Sequence, residues 1–235
     1  MRIAVCISGQ PRAYKQGYEY LKRNLLDHHD CDIFIHTWKN GVYDNNDVFD
    51  LYKPVKGVEE EYFVFSQVLN NKYTRTPDAV KFPASSSAYA YYSMFRSCLY
   101  KIDHEVKTQQ YDWVVKTRFD YALNSSIPFD QLDPTKIYIP NCRMVPSRDF
   151  GNDQFAFGSS YVMNQYMSTY INMETYYKIG YQMNGEEMMS ANLHHNGLVG
   201  ERLIYVDMKN PFPPGLYNGT PHSLIRDDMP LWKKK

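Results

Sequence analysis

Residues 2–38 constrain this chain most. RIAVCIS is a compact apolar run that stops at a turn signal, SGQPR, and reads as a buried first strand. YKQGYEYLKRNLLDHH follows, with Tyr18, Leu21, Leu25 and Leu26 at the spacing of one helix face. CDIFIHTW closes the unit as a second strand. Strand, helix and strand in so short a stretch make a βαβ unit, whose crossover lays the helix on one face of a parallel pair. The expected fold class is α/β, a mixed and mostly parallel sheet flanked by helices.

The remaining pattern extends that plan. SSSAYAYYSMFRSCLYKIDHEVKTQQ predicts a long helix, with Ser85 to Ser87 as candidate caps and a stripe at Tyr91, Met94, Phe95, Cys98, Leu99 and Ile102. YDWVVKTRFD reads as a third strand, KIYIP as a fourth and LIYVDM as a last one. NDQFAFGSS starts extended and turns helical near Ser159 or Ser160. NGEEMMSANLHHNGL reads as a helix, with acids in its first turn and Gly at its end. The stretch from Lys39 to Phe82 is mixed, with a short apolar run at YFVFSQVL. PFPPGLYNGTPH is too rich in Pro and Gly for regular structure. No linker-like run divides the chain, and 235 residues at 43% hydrophobic suffice for one sizeable core, so a single domain over 1–235 is expected.

Composition narrows the partners. Lys+Arg and Asp+Glu stand at 26 each, so no broad basic face for nucleic acid is expected, though a local basic cleft is compatible. No apolar run approaches the ~20 residues of a membrane span, and the N-terminal run is too short for a signal-peptide core. The cytoplasm, of a cell or of an infected host cell, is the expected location. Cys6, Cys31, Cys98 and Cys142 lie far apart and suit reduced core thiols. The 22 Tyr offer stacking faces with hydroxyls, suited to carbohydrate or base contacts or to a tyrosine-rich core.

Familiar catalytic motifs are missing. The first strand is followed by neither GxGxxG nor GxxxxGK[ST], and there is no GxSxG and no HExxH. His28–His29 and His194–His195 are adjacent pairs, which point in different directions on a helix. What remains is a set of polar strand ends, SGQPR, HTW and TRFD. Ligands in open α/β sheets bind outside such carboxyl ends. Asp120 could hold a hard cation against a diphosphate, and Arg118 could neutralise phosphate. An Arg118–Asp120 or Lys116–Asp120 ion pair explains the same stretch equally well.

YDWVVKTRFD resembles the metal-site segment of GT-A glycosyltransferases, enzymes that use nucleotide sugars and carry a DxD-type motif at such a strand end. Here Arg118 replaces the first Asp, and Asp120 matches the last. The opening strand with SGQPR, and DIFIHTW, are similar to the forms found in phages, large DNA viruses and bacterial polysaccharide loci. FAFGSS, with Gly158, resembles the loop ahead of the acceptor-side helix. NGEEMMSANLHHNGL resembles the helix start that carries the catalytic base, with Glu187 in that place after Glu186, and TPHSL places His222 at a C-terminal metal-binding His.

The resemblance implies a nucleoside diphosphate sugar donor, a glycan-type acceptor and a divalent cation, Mn²⁺ or Mg²⁺, on Asp120 and His222. It implies a nucleotide-sugar part at 1–120 and an acceptor-side part at 121–235. Ser8, Gly9, Arg12, Arg96 and Arg118 are the candidate donor contacts. Glu187 is the candidate base, with Asp153 as its rival. The other readings are a catalytically silent module that binds carbohydrate or nucleotide sugar, and a nucleotidyltransferase. The latter would want a second carboxylate and a glycine-rich phosphate loop, neither of which is evident.

Overall fold

The computed structural model describes residues 1–39, 41, 43–63, 84–140, 152–206 and 222–224. Most of YFVFSQVL, most of PFPPGLYNGTPH, and Cys142 lie outside them.

The opening unit forms as its pattern predicts. Strand β1 (Ile3–Gly9) leads to α1 (Tyr14–Leu21), which runs on through a π-helical turn to Leu26, and then to β2 (Cys31–Lys39). Two elements were hidden in the mixed stretch: α2 (Asn45–Tyr52), capped by the Asp44 carboxylate on the Asn46 N–H, and β3 (Lys56–Glu61). The long helix is α3 (Ala84–Lys107). Then come β4 (Trp113–Thr117), β5 (Tyr121–Leu123), β6 (Ile137–Pro140) and β7 (Ala156–Gly158). Helices α4 (Ser160–Met167), α5 (Thr169–Lys178) and α6 (Gly185–His195) precede β8 (Leu203–Val206). A short β9 (His222–Leu224) pairs antiparallel with β5.

Seven strands form one sheet in the order β3-β2-β1-β4-β7-β6-β8. The pairs β1–β2, β1–β4, β2–β3 and β6–β8 are parallel, and β7 runs antiparallel between β4 and β6. The sheet is therefore mixed and mostly parallel, a Rossmann-like α/β arrangement. Alternation along β1 explains the two cores. Ile3, Val5 and Ile7 face Leu21, Leu25 and Val48 on the α1 and α2 side. Ala4 and Cys6 face Tyr91, Met94 and Cys98 of α3, in the larger cluster that also takes in α4 to α6. Both faces are covered, so β4 can be apolar on both, as Val114 and Val115 are.

Strand order reverses between β1 and β4: the chain first builds outward through β2 and β3, then crosses back. Such a switch point leaves a crevice at the strands' carboxyl ends, because consecutive connections depart to opposite sides. Among the described residues, no helix is long and apolar enough to cross a membrane.

Candidate functional site

Side chains in a strand alternate between faces, so every second residue of β1, β2 and β4 lies under α3. Those rows are Ala4, Cys6 and Ser8; Phe34, His36 and Trp38; and Val114, Lys116, with Arg118 continuing past the strand end. Each begins apolar and ends polar or amphipathic. The register sets Cys6 beside Lys116 and Ser8 beside His36, which aligns the polar ends along one edge.

A cleft of about 440 Å³ opens there, at the β1–β4 switch point. Ser8, Gly9, Gln10 and Arg12 form its β1 side; Lys116, Arg118 and Asp153 form the opposite side. Trp38, Tyr62 and Tyr89 make an aromatic wall, and Tyr91 of α3 closes the back. Trp38 stacks on Tyr62 with ring centroids 4.9 Å apart and meets Tyr89 edge-on at 5.4 Å.

The β1 loop is held by short-range chemistry. Gly9 has φ +106°, a conformation that glycine adopts without the cost of a Cβ. Its N–H donates to Ser93 Oγ at 2.9 Å, tying the loop to α3. Arg12 donates through Nε and Nη2 to Gln10 Oε1 at 2.9 and 2.7 Å, and Gln10 Nε2 donates to the Tyr62 hydroxyl.

On the far side, Arg118 grips Asp120 side-on, with Nε and Nη2 each 2.8 Å from a carboxylate oxygen. Asp120 is 1% exposed. Lys116, 3% exposed, donates through Nζ to the carbonyls of Asp153 and Gln154. Burial pushes its ammonium down to about 7; Arg118 adds to the fall, against Asp153 and Asp120. The Asp153 loop is further held by the Tyr166 hydroxyl on Asn152 O and by Gln154 N–H on Asn152 Oδ1. The Asp153 carboxylate comes so near the start of α6 that a Cβ on Gly185 would lie 2.9 Å from its Oδ2. A helix N-terminus favours an anion there. Glu186 next door has its pKa raised, by burial first and also by the charge of Asp153.

Of the residues picked from sequence, Ser8, Gly9, Arg12, Arg118 and Asp153 thus meet in one cleft. Three others do not reach it. Glu187 is an end-of-helix residue: its N–H donates to Asn184 Oδ1 at 2.8 Å and its carboxylate accepts from the Gln182 N–H at 2.9 Å. The Asn184 side chain thus caps the helix, and the Glu187 carboxylate, expected to be a base, is used on the backbone two residues before that cap. Arg96 lies outside the cleft lining, its Nη2 2.7 Å from Glu60 and its guanidinium over the rings of Tyr92 and Tyr100. Asp120 lies behind the cleft wall as the partner of Arg118.

His222 opens β9 opposite Leu123 of β5. The second strand contributes only Trp38 to the lining. His36 is buried under it, 2.8 Å from Ser93 Oγ through Nδ1, and burial lowers its pKa to about 4, so it is neutral near pH 7. Lys116, Trp38, Tyr62, Tyr89 and Tyr91 also line the cleft, and no sequence motif points to them. Strand periodicity points to Lys116, which shares a face with Arg118, and to Trp38, which follows His36 on the face where His36 pairs with Ser8.

Of the two residues implied to hold a divalent cation, Asp120 is 1% exposed and outside the cleft lining, and the His222 side chain lies outside the described residues. Both Asp120 oxygens are engaged by Arg118, and no three His, Cys, Asp or Glu side chains converge on a metal-sized site among the described residues.

Fold and cleft together define a Rossmann-like α/β protein with a cationic, aromatic-walled crevice at its switch point. The chain belongs to the family described as Domain of unknown function (DUF7796), which matches residues 1–224. No curated protein matches the sequence.

Proposed function

We propose that this protein is a glycosyltransferase that moves a sugar from a nucleoside diphosphate sugar to a hydroxyl of a glycan-type acceptor. The observation that carries the reading is the composition of the cleft. It joins Arg12, Lys116 and Arg118 to an aromatic wall of Trp38, Tyr62 and Tyr89 and to one carboxylate, Asp153. A nucleoside diphosphate sugar needs those three chemistries together: a flat base, a doubly charged linker, and a reacting carbon near a base.

In the inverting form of the reaction, Asp153 takes the proton of the acceptor hydroxyl as its oxygen attacks the anomeric carbon. The carbon–oxygen bond to the distal phosphate breaks, and the nucleoside diphosphate leaves with the bonding pair. Arg118 is pre-set for the developing charge, because its Asp120 bridge orients the guanidinium before any ligand arrives. Lys116 holds the Asp153 backbone through two carbonyls, which places the base.

The test is a panel of nucleotide sugars incubated with the full chain and oligosaccharide acceptors, with released nucleotide as the readout. Transfer from one donor, lowered roughly 100-fold or more in Asp153→Asn, is the expected result. Binding of a nucleotide sugar with no release under any condition would reject transfer and leave a nucleotide-sugar-binding protein.

A further inference from the structure

We propose that the cleft holds a pyrophosphate subsite built on protein cations, in which Lys116 and Arg118 on one side and Arg12 on the other do the charge neutralisation without a divalent metal ion. The inference deepens the donor reading above and rests on it only for the identity of the natural anion.

Two buried lysines make the point by comparison. Lys101 is 0% exposed and saturated: Nζ donates to Glu105 at 2.8 Å, Ser160 Oγ at 2.6 Å and Asn164 Oδ1 at 2.6 Å. An ammonium has three donors, and here all three are used inside the protein. Lys116 is equally enclosed but meets two backbone carbonyls, so its third donor remains for the cleft that it lines. Burial of a lysine that is not fully satisfied is costly, and an anion supplies the missing partner.

The arginines follow the same arithmetic. A guanidinium has five N–H donors. Arg118 gives two to Asp120, and Arg12 gives two to Gln10, which leaves the outer edges of both forks for a ligand. Forked donors suit phosphate oxygens. Among the described residues, Asp153 is the single carboxylate lining the cleft. Asp120, which a metal would need, is 1% exposed, lies outside the cleft lining and is bridged to Arg118 through both oxygens. The Arg118–Asp120 pair therefore occupies the place of a cation site with a fixed protein cation. The loosely held proton of Lys116 agrees with this, since an incoming anion would draw it back; Asp153, Arg118 and Asp120 bear on that proton, and Arg12 and Tyr91 face the same cleft.

Calorimetric titration of the full chain with inorganic pyrophosphate in excess EDTA tests the subsite. Binding is expected, weakened roughly 10- to 100-fold in Lys116→Met and in Arg12→Met, as the loss of a charged hydrogen bond predicts. If Lys116→Met does not fold, Arg12→Met decides, because Arg12 is partly exposed and its loss leaves the core untouched. No binding in EDTA, binding restored only by Mn²⁺, or unchanged affinity in the folded variants overturns the inference. The donor panel run alongside separates the two ideas. Metal-free pyrophosphate binding without sugar transfer rejects the transferase and keeps the subsite. Sugar transfer that requires Mn²⁺ keeps the transferase and rejects the subsite.

Discussion

Burial brings the Lys116 ammonium down to about 7, against about 10.4 for a lysine in an unfolded chain. Between those values the unfolded chain holds more protons than the folded one, so this residue makes stability rise with pH across that window. Its penalty is greatest below pH 7 and fades toward pH 10. Urea unfolding of the wild type and Lys116→Met, compared from pH 6 to pH 10, should show the wild type gaining on the variant by up to about 1.4 kcal/mol per pH unit. A gap that does not move with pH would mean that Lys116 titrates normally. Glu187 makes the opposite case at this scale. Bound to backbone, it should tolerate Glu187→Gln with unchanged transfer activity, because the amide oxygen can still accept from the Gln182 N–H. Removing the cap, Asn184→Ala, should cost about 1 kcal/mol in thermal unfolding.

The element that sets the cleft's geometry from outside is α1. A Cβ on Gly17 would lie 1.8 Å from the carbonyl oxygen of Phe119, so the helix packs directly on the backbone of the Arg118–Asp120 turn. Backbone cannot yield as a flexible side chain can. Gly17→Ala should therefore push α1 off the turn, costing about 1–3 kcal/mol of overpacking and disturbing the Arg118–Asp120 bridge. Circular dichroism melts should show a lowered midpoint, and pyrophosphate affinity should fall with it. Wild-type stability in Gly17→Ala would show that the contact is loose. The predicted helices and strands are mostly where periodicity puts them. The ones left out, α2, β3, β5 and β9, are short or only partly buried. Lys56–Glu61 reads KGVEEE, an edge strand whose charges serve solvent and Glu60's partners, so it carries no apolar alternation.

Across the whole molecule, α3 is bound to α4 by a polar network inside the core. Lys101 and Glu105 of α3 meet Ser160 and Asn164 of α4, and Glu105 also accepts from the Tyr111 N–H just before β4. Breaking one partner of a buried ion pair leaves the other unpaired, at a cost of about 3–5 kcal/mol. Lys101→Met should lower the unfolding free energy read from urea titration by that much. A change under 1 kcal/mol would mean that the network relaxes or admits water.

Sequence alone determined the α/β class, because apolar periodicity and a βαβ spacing are local properties of the chain. It also determined that polar residues cluster at strand ends, which points to Ser8, Gly9, Arg12 and Arg118, and that Asp153 precedes an extended apolar run. Tertiary structure decided what local pattern cannot contain. Asp120 and Glu187 are carboxylates of similar promise in one dimension, yet one is bound by Arg118 and the other by a backbone N–H, while Asp153 faces the cleft. A carboxylate's role depends on which donors reach it first, and those donors are assigned by packing. In VVKTRFD, Lys116 and Arg118 line the cleft, and Asp120 stands buried behind them.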